Sequence, residues 1–479
     1  MPSSASSTAR AQRLVLVAMI FAVAMMFIDQ TIVVLAVPDL DKDLSLSANG
    51  AQWIVNGYLL SLSALFALGG KLADVLGHRR MVMLGVTSFA VFSALCGATP
   101  TGQYTEAWIV ACRVLQGASA AVLFPAALAI VVAAFPVRER GRALAVFFGV
   151  TGALTAVGPI AGGYLTEWTW RSIFWINVPV AIIALLLTRK AKPAQERQDV
   201  PIDLRGAVLI SGAMGLVVLA LQQASLWGWT DARTLGCLGA GLVLLAVFVL
   251  VELRLRHPLI QLRMFRDRAF AVDSLVLMLM SAVFVPIFFF SSVYAQASLG
   301  YSAQEAGKLL LVFFAGFATA AQFGGRILDA RGAKPAVVLG CALAAVGLLL
   351  WGRALPGLDF SGQWPLLALA GAGLGLVLGP VSTDALNRAP GAGYGEVTGV
   401  TQTVRNFGAS LGMAVLGSIF ASRNVSPAHP GDVAHATQTV IYIMAGIMAA
   451  AFVLAKFGLQ RGPAEEAETE DPKVLVASA

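Results

Sequence analysis

The chain has 479 residues, of which 58% are hydrophobic and 12% are charged, and its mean hydropathy is +0.79. A soluble domain carries about 25% charged residues, because its surface needs a polar coat. The composition therefore excludes an ordinary soluble protein and predicts a chain whose main solvent is lipid. The net charge of +7 does not indicate nucleic acid as a partner, since the basic residues lie in short groups between apolar runs.

Residues that enzymes often use for catalysis do not occur in this sequence in patterns that would indicate an active site. The four cysteines, Cys96, Cys112, Cys237 and Cys341, lie singly inside apolar stretches, without a C-x-x-C pair or a neighbouring histidine. We interpret them as small packing residues and not as a metal or redox site. The glycine-rich stretch near Gly371 lies within an apolar run and indicates helix packing, not a phosphate loop. We expect no enzyme activity, no cofactor and no metal.

Apolar runs predict about fourteen transmembrane helices, because a helix needs about 20 apolar residues to cross roughly 30 Å of hydrocarbon. The first run is too long for the core of a signal peptide and contains Asp29, so we expect a retained helix. An even number of crossings places both termini on one side. The predicted spans lie near 14–37, 51–70, 81–99, 106–134, 142–165, 172–188, 206–224, 234–251, 271–297, 304–325, 335–352, 364–387, 396–420 and 437–457.

One segment occurs twice. The sequence GGKLADVLGHRR at 69–80 recurs in altered form as GGRILDARGAKP at 324–335, which pairs Gly70 with Gly325 and Asp74 with Asp329. Transporters are often built from such duplicated bundles. The sequence thus predicts an all-α membrane protein made of two six-helix bundles with two inserted helices. The predicted division is an N-terminal segment 1–13, a first bundle 14–188, linkers and inserted helices 189–268, a second bundle 269–458 and a tail 459–479.

Basic residues concentrate in alternate loops, on the side of both termini. Loops of this kind face the cytoplasm in most membrane proteins, so we expect both termini to be cytoplasmic. The residues concerned include Arg79, Arg80, Arg138, Arg140, Arg142, Arg189, Lys190, Lys192, Arg197, Arg254, Arg256, Arg263, Arg266, Arg268, Arg331 and Lys334.

Several motifs together identify a family. GKLADVLGHRR (70–80), RVLQGASAA (113–121), GALTAVGPIAGG (152–163) and WTWRSIFWINVP (168–179) occur in the loops and spans where that family carries similar motifs. The sequence resembles the fourteen-helix drug:proton antiporter branch of the major facilitator superfamily over nearly its whole length. The resemblance implies a monomer in the cytoplasmic membrane that exchanges small-molecule drugs or antibiotics for protons by alternating access.

Two charged residues lie inside predicted spans, where an ionised side chain is costly unless it faces water or a partner. We expect Asp29 to bind alternately a proton or a cationic substrate, the role implied by the resemblance, and Arg113 to bias the protonation of Asp29. The alternatives are that Asp29 only fixes helix packing and that Arg113 is a structural cation bound to backbone carbonyls.

Two groups of residues are candidates for gating. Small residues and a proline in the fifth span suit a bend and a moving contact between bundles, although they would also suit simple packing; they are Gly152, Gly158, Pro159, Gly162 and Gly163. Charges at helix ends can bridge the bundles as a conformational latch, although basic residues there also serve as orientation signals. The latch candidates are Asp74, Arg79, Arg80, Asp329 and Arg331, and Gly70 of the same motif is a further gating candidate.

Polar or aromatic positions inside apolar spans are candidates for contact with an amphipathic ligand, although each could equally form an interhelical hydrogen bond. These positions include Trp53, Asn56, Tyr58, Gln116, Phe124, Tyr294, Gln322 and Gln402. Arg405 lies deep in its span, and Asp384 is one candidate partner.

The function predicted from these observations is proton-coupled export of drugs, antibiotics or other amphipathic molecules. Uptake of a metabolite by facilitated diffusion or symport is a second possibility, against which the glycine stretch of the fifth span argues. A receptor or scaffold that transports nothing is a third. Asp29 and Arg113 argue against it, because a scaffold does not require charges within the membrane.

Overall fold

The computed structural model describes residues 3–46, 48–166, 168–193, 201, 203–255, 258–388, 393–423, 430–460 and 462. All regular structure in these residues is helical, and most of the predicted tail lies outside them. The helices are α1 (Ser3–Leu44), α2 (Ala48–Leu76), α3 (His78–Gly97), α4 (Thr105–Ala134), α5 (Val137–Thr166), α6 (Ser172–Trp175), α7 (Asn177–Ala191), α8 (Leu204–Trp227), α9 (Ala232–Glu252), α10 (Arg268–Val293), α11 (Ala303–Arg331), α12 (Ala333–Ala354), α13 (Trp364–Asn387), α14 (Tyr394–Ala421) and α15 (Pro430–Gly458).

Thirteen helical segments within the described residues are long and apolar enough to cross a membrane, with α6 and α7 counted together. The 30-residue α5 is the fourteenth long helix, so the prediction of an all-helical membrane protein with about fourteen crossings is confirmed. Helix α1 extends well beyond the predicted 14–37. The predicted span 172–188 is divided at Ile176, where Pro179 has no N–H to donate to the carbonyl of Trp175.

The two halves of the molecule pair their helices in the same order. In the first half α2 and α3 pack against α4, and α1 packs against α5; in the second half α11 and α12 pack against α13, and α10 packs against α14. Across the halves, α2 packs against α14 and α5 packs against α11. The second helix of each half thus meets the fifth helix of the other, as expected for a duplicated unit.

The inserted helices α8 and α9 form a hairpin on one of the two seams between the halves. Helix α8 packs against both α2 and α14, and α9 packs against α8. Leu242, Val243 and Leu250 of α9 are 58%, 62% and 58% exposed. Exposed apolar side chains of this kind suit a face in contact with lipid.

The repeated segment forms the same turn twice. Gly77 separates α2 from α3 with φ 97°, and Gly332 separates α11 from α12 with φ 82°. Each glycine N–H donates to the carbonyl four residues earlier, in Ala73 and Leu328 respectively. Positive φ is the conformation that glycine adopts without steric cost, so the duplicated glycine is required by the turn. We call this end of the molecule, which carries Arg79, Arg80, Arg140, Arg142 and Arg331, the basic end.

Candidate functional site

The buried carboxylate of Asp29 in α1 is held by side chains from two other helices. Its Oδ2 accepts a hydrogen bond of 2.6 Å from Nη1 of Arg113 in α4. Its Oδ1 accepts bonds from Nε2 of Gln116 at 3.0 Å and from Nδ2 of Asn177 at 3.4 Å. Asp29 and Arg113 are 0% and 1% exposed, so the ion pair is buried.

The guanidinium of Arg113 has further contacts. Its Nε donates to the carbonyl of Ile54 at 2.8 Å, and Nη1 also donates to Oε1 of Gln116 at 2.7 Å. Its carbon lies 4.4 Å from the centre of the Tyr58 ring and 5.9 Å from that of Phe174. Arg113 therefore has both the carboxylate partner and the backbone carbonyl that were considered as alternatives, and the aromatic faces add cation–π attraction.

A glycine lets α4 approach α2 closely at this site. A Cβ on Gly117 would overlap the side chain of Ser61 and lie 3.0 Å from the carbonyl carbon of Tyr58. Only the absence of a side chain permits this spacing, and the same spacing brings Arg113 within reach of the Ile54 carbonyl. Residues 113–117 thus supply the cation Arg113, the amide Gln116 and the glycine that lets α4 approach α2.

This arrangement can couple proton binding to a change in contacts. Two opposite charges in a buried site stabilise each other, and removing one leaves the other buried without compensation, at a cost of about 3–5 kcal/mol. Protonation of Asp29 would remove its charge and release Arg113 from the pair. Either water or a substrate charge would then have to reach Arg113.

Asn177 was not predicted from the sequence. Besides Asp29, its Nδ2 donates to Oγ of Ser93 at 2.9 Å, and Ser93 in turn donates to the carbonyl of Phe174 at 2.8 Å. The signal in the sequence was an amide residue in an apolar run, within the motif at 168–179, and the structure shows that it is buried. Tyr58 and Gln116, which we predicted as ligand contacts, lie against Arg113.

At the basic end, Asp74 joins the two halves. Its two carboxylate oxygens accept hydrogen bonds from the backbone N–H groups of Gly395 at 2.8 Å and Glu396 at 2.6 Å. These groups lie in the first turn of α14, where helix N–H groups lack intrahelical partners and a negative charge is favoured. His78 also contacts Asp74, at 2.8 Å.

A second ion pair lies beside this contact. Nζ of Lys71 is 3.2 Å from Oε2 of Glu396, and both side chains are buried. The other oxygen of Glu396 accepts a bond of 2.6 Å from the backbone N–H of Gln261, in the segment that follows the inserted hairpin. The contact among Lys71, Glu396 and Gln261 was not predicted, because it depends on three distant parts of the chain.

Asp329 makes the same kind of contact as Asp74, but from the second half to the first. It accepts hydrogen bonds from the backbone N–H groups of Gly141 at 3.0 Å and Arg142 at 3.1 Å, near the start of α5. Each half therefore presents an aspartate at the end of its second helix to two consecutive N–H groups, the first from a glycine, in the fifth helix of the other half. We call the two contacts together the aspartate gate.

Arg140 adds a third connection between the halves. It donates to Oδ1 of Asn387 and to the hydroxyl of Tyr394, both at 3.0 Å, and to two carbonyls at the end of α4. Of the arginines predicted to act in gating, Arg79 is half-buried and Arg80 is exposed. In the described part of the chain neither has an ion-pair partner.

The predicted gating glycines fall into two groups. A Cβ on Gly70 would lie 2.9 Å from the carbonyl carbon of Gly395, and one on Gly152 would lie 3.0 Å from the Phe317 ring, so both face the other half. Gly158 instead faces Ile28 and Thr31 of α1, within its own half. Gly162 is buried, while the surroundings of Pro159 and Gly163 lie outside what the structure describes.

The remaining predicted ligand contacts are scattered. Phe124 is buried among the rings of Phe27, Phe66 and Phe147. The Tyr294 hydroxyl is bonded to Leu355 and Gln363. Gln322 donates to the Ala145 carbonyl across the halves at 3.3 Å, and Gln402 accepts from Arg405 at 3.0 Å. Trp53 and Asn56 are half-buried on α2.

An aromatic cluster in the second half, which meets α5 at one side, was missed by the sequence reasoning. It consists of Phe284, Phe288, Phe313, Phe314 and Phe317 of α10 and α11, with ring centres 4.9 Å to 6.5 Å apart. Gly152 of α5 packs against it from the other half. The signal was a phenylalanine-rich pair of spans, but only helix packing shows that the rings meet.

Asp384 is not the partner of Arg405. Oδ2 of Asp384 accepts a hydrogen bond of 2.8 Å from Nε of Arg388, four residues later. Arg405 instead contacts Gln402 and Ser281. The nearby arginine on the same helix satisfies Asp384 at a lower cost in chain entropy than a distant one would.

Comparison with known proteins agrees with this architecture. The family model described as Major Facilitator Superfamily matches residues 19–413. The chain is 38% identical over 419 residues to the Tetracenomycin C resistance and export protein of Streptomyces glaucescens. The aligned region covers 85% of this chain and 76% of that protein. It is 32% identical over 457 residues to the Puromycin resistance protein pur8 of Streptomyces alboniger, with 92% and 90% covered.

A solved structure shares the fold. The proton:xylose symporter XylE, bound to 6-bromo-6-deoxy-D-glucose, superposes with a TM-score of 0.68 over 96% of this chain and 98% of the symporter. The sequence identity is 12%, so this likeness concerns the fold alone.

Proposed function

The chain belongs to the Major Facilitator Superfamily, and we propose that it is a proton-coupled antiporter that exports drugs, antibiotics or other amphipathic small molecules. Its relatives include proteins named for the export of tetracenomycin C and cephamycin and for resistance to puromycin. Export of similar cargo is the activity that these relatives suggest. We place the protein in the cell membrane as a monomer with both termini in the cytoplasm.

The observation that carries the proposal is the buried Asp29–Arg113 pair with its amide partners Gln116 and Asn177. A buried carboxylate opposite a permanent cation changes the charge of the site when it binds a proton, and a structural role alone does not require an ionisable group there. Proton binding to Asp29 and substrate binding can then exclude each other, which is the condition for exchange.

The aspartate gate supports alternating access. If the basic end faces the cytoplasm, as its charge favours, the structure has its cytoplasmic side closed by Asp74, Asp329 and the Lys71–Glu396 pair. Opening this end would break contacts in both halves, and closing it would restore them. Rocking of one half against the other around a central site is the usual motion of transporters with repeated halves.

The aromatic cluster supports amphipathic cargo. Phe317 of the cluster contacts Gly152 at the α5–α11 seam, and Gln322 of the same helix contacts Ala145 there, so the seam contains both an aromatic ring and an amide. Aromatic faces bind apolar and cationic groups alike. We therefore propose this seam, rather than Tyr294 or Phe124, as the main contact surface for the exported molecule.

The proposal is tested by drug-driven proton movement in proteoliposomes that contain a pH-sensitive dye. Wild type is compared with Asp29→Asn and with Asp39→Asn, which removes an exposed acid ten residues later in the same helix. We expect proton flux on addition of lipophilic cations or neutral antibiotics in wild type and in Asp39→Asn, and none in Asp29→Asn. Bound drug without flux in all three proteins would instead indicate a uniporter or a receptor.

A further inference from the structure

Two buried carboxyl groups meet at the basic end of the second half. Asp273 of α10 and Asp384 of α13 are 0% and 1% exposed, and their side chains interact where the two helices pack against each other. Helices α10 and α13 correspond to α1 and α4 in the first half, which carry Asp29 and Arg113. The two carboxyl groups lie nearer the helix ends, however, about 8 Å along α10 from its start at 1.5 Å per residue.

The charges around the pair do not balance if both groups are ionised. Among the described residues, Arg388 is the one cation that contacts it, and its Nε donates to Oδ2 of Asp384. Oδ1 of Asp384 and both oxygens of Asp273 have no hydrogen-bond donor among the described residues. Two carboxylates opposite one guanidinium would leave one uncompensated negative charge in a buried site, which is strongly unfavourable.

Among the described residues, no cation other than Arg388 forms an ion pair with Asp273 or Asp384. Asp267 at the start of α10 accepts hydrogen bonds from the N–H groups of Ala269 and Phe270, and its charge opposes a second carboxylate. Several charged residues on helices packed against α10 have contacts elsewhere in the described structure: Glu396 with Lys71, Asp329 with Gly141, Arg326 over Phe323, Lys456 over Phe452 and Arg405 with Gln402.

We propose that Asp273 and Asp384 form a proton-binding site that holds one proton, distinct from the Asp29 site. The proton lies on Asp273, whose O–H donates to the free Oδ1 of Asp384, while Asp384 remains ionised opposite Arg388. One bound proton thus balances the charge and satisfies the orphaned oxygen of Asp384. A monovalent metal ion is disfavoured because the described surroundings supply three carboxyl oxygens, fewer than such an ion coordinates.

The proton site adjoins the contact between the halves. Asn387, one turn after Asp384, accepts the hydrogen bond from Arg140 of the first half. Water that entered when the basic end opened would stabilise the ionised pair and so favour release of the proton. The site is therefore placed to exchange its proton with the solvent at this end and not at the opposite one.

The site is tested by infrared spectroscopy of the full chain in detergent at about pH 7, without drug, so that the result is independent of whether the chain is an antiporter. We expect a C=O band of a buried protonated carboxyl group that shifts in D2O. Asp273→Asn and Asp384→Asn should each abolish it, because either change leaves one carboxyl group opposite Arg388. Asp39→Asn should retain the band. A wild type without the band, or a band that survives both substitutions, would overturn the proposal.

Thermal unfolding gives a second readout. An unfolded Asp273 loses its proton above about pH 4, whereas the folded chain retains it, so folding takes up one proton. As the pH rises, the folding equilibrium constant of the wild type should therefore fall, relative to that of Asp273→Asn, by up to tenfold for each pH unit. We expect the Tm of Asp273→Asn to rise relative to wild type between about pH 5 and about pH 8. Equal pH dependence of Tm in the wild type and in Asp273→Asn would exclude a proton site. Loss of the infrared band when sodium replaces choline in the buffer would exclude it as well.

Discussion

Asp29 has three donors from two other helices, and each contributes differently to the state of the carboxylate. Arg113 supplies a full charge, whereas Gln116 and Asn177 supply dipoles that persist when the proton binds. A protonated Asp29 thus keeps amide partners, while Arg113 loses its counterion. Proton binding to Asp29 therefore changes the surroundings of Arg113 more than those of the two amides.

Replacing Asp29 by Asn should destabilise the protein because Arg113 is left buried and uncompensated, at about 3–5 kcal/mol. The double variant Asp29→Asn, Arg113→Met should recover most of that loss, since it removes both charges. Thermal unfolding in detergent measures both effects. Proton flux should stay absent in the double variant, and a double variant no more stable than the single one would contradict the interpretation of the site as a balanced pair.

Replacing Gly117 by Ala should push α4 away from α2, because the added Cβ overlaps Ser61 and approaches Tyr58. We expect a loss of about 1–3 kcal/mol in unfolding free energy and reduced transport. The matched control is Gly446→Ala, since Gly446 lies in α15 with open space around it. That control should be neutral or stabilising by up to about 1 kcal/mol. Equal effects of the two changes would show that close approach at Gly117 is unimportant.

At the scale of helices, the duplicated segment has one structural task in each half. It ends a helix at a positive-φ glycine and places an aspartate on the first turns of a helix from the other half. Gly70 and Gly325 allow the crossing helices to touch: a Cβ on Gly70 would lie 3.0 Å from Cα of Gly399, and one on Gly325 would lie 2.8 Å from the Ala145 side chain. The repeat thus joins the two halves at one end of the molecule through the same kind of contact made twice.

Replacing Asp74 or Asp329 by Ala should shift the equilibrium towards an open basic end. For Asp74, which accepts from N–H groups in the first turn of α14, loss of this cap costs about 1–2 kcal/mol, which corresponds to roughly fivefold to thirtyfold in population. Spin labels at Leu84 and Leu339, exposed residues in α3 and α12, would report the distance between the halves. Cys237 is replaced by Ser in this background, because the other three cysteines are buried.

Each single variant should increase the long-distance population, and the double variant should increase it further. Arg80→Ala, which removes an exposed charge at the same end, is the control and should leave the distances unchanged. Unchanged distances in the double variant would refute the aspartate gate.

At the scale of the whole molecule, the energy source constrains the exchange. One proton that enters through a potential of 100 mV contributes about 2.3 kcal/mol, and each pH unit contributes about 1.4 kcal/mol. If one proton enters through Asp29 for each molecule exported, the charge on the cargo decides whether the potential contributes.

Export of a monovalent cation should be insensitive to membrane potential, because the charges moved in the two directions cancel. Export of a neutral antibiotic should accelerate when the interior is negative. Initial rates in liposomes whose potential is clamped with potassium and valinomycin, at a constant pH gradient, separate the two cases. A cation whose export depends on the potential would indicate more than one proton per cycle.

The sequence alone determined the properties that depend on local composition. Crossing number follows from the length of apolar runs, and Asp29 and Arg113 stood out because a charge within a span is costly wherever its partner lies. The duplicated segment and the family motifs likewise indicated a transporter with repeated halves. The positive-φ turns at Gly77 and Gly332 are local as well, so their repetition was visible in the sequence.

Tertiary structure decided which side chains meet. Asn177 is 148 residues from Asp29, and Lys71 is 325 residues from Glu396, so these contacts depend on how each helix is rotated against its neighbours. The same rotation turns Gly158 towards α1. Apolar periodicity does not specify that rotation here, because both the lipid-facing and the packed sides of a membrane helix are apolar.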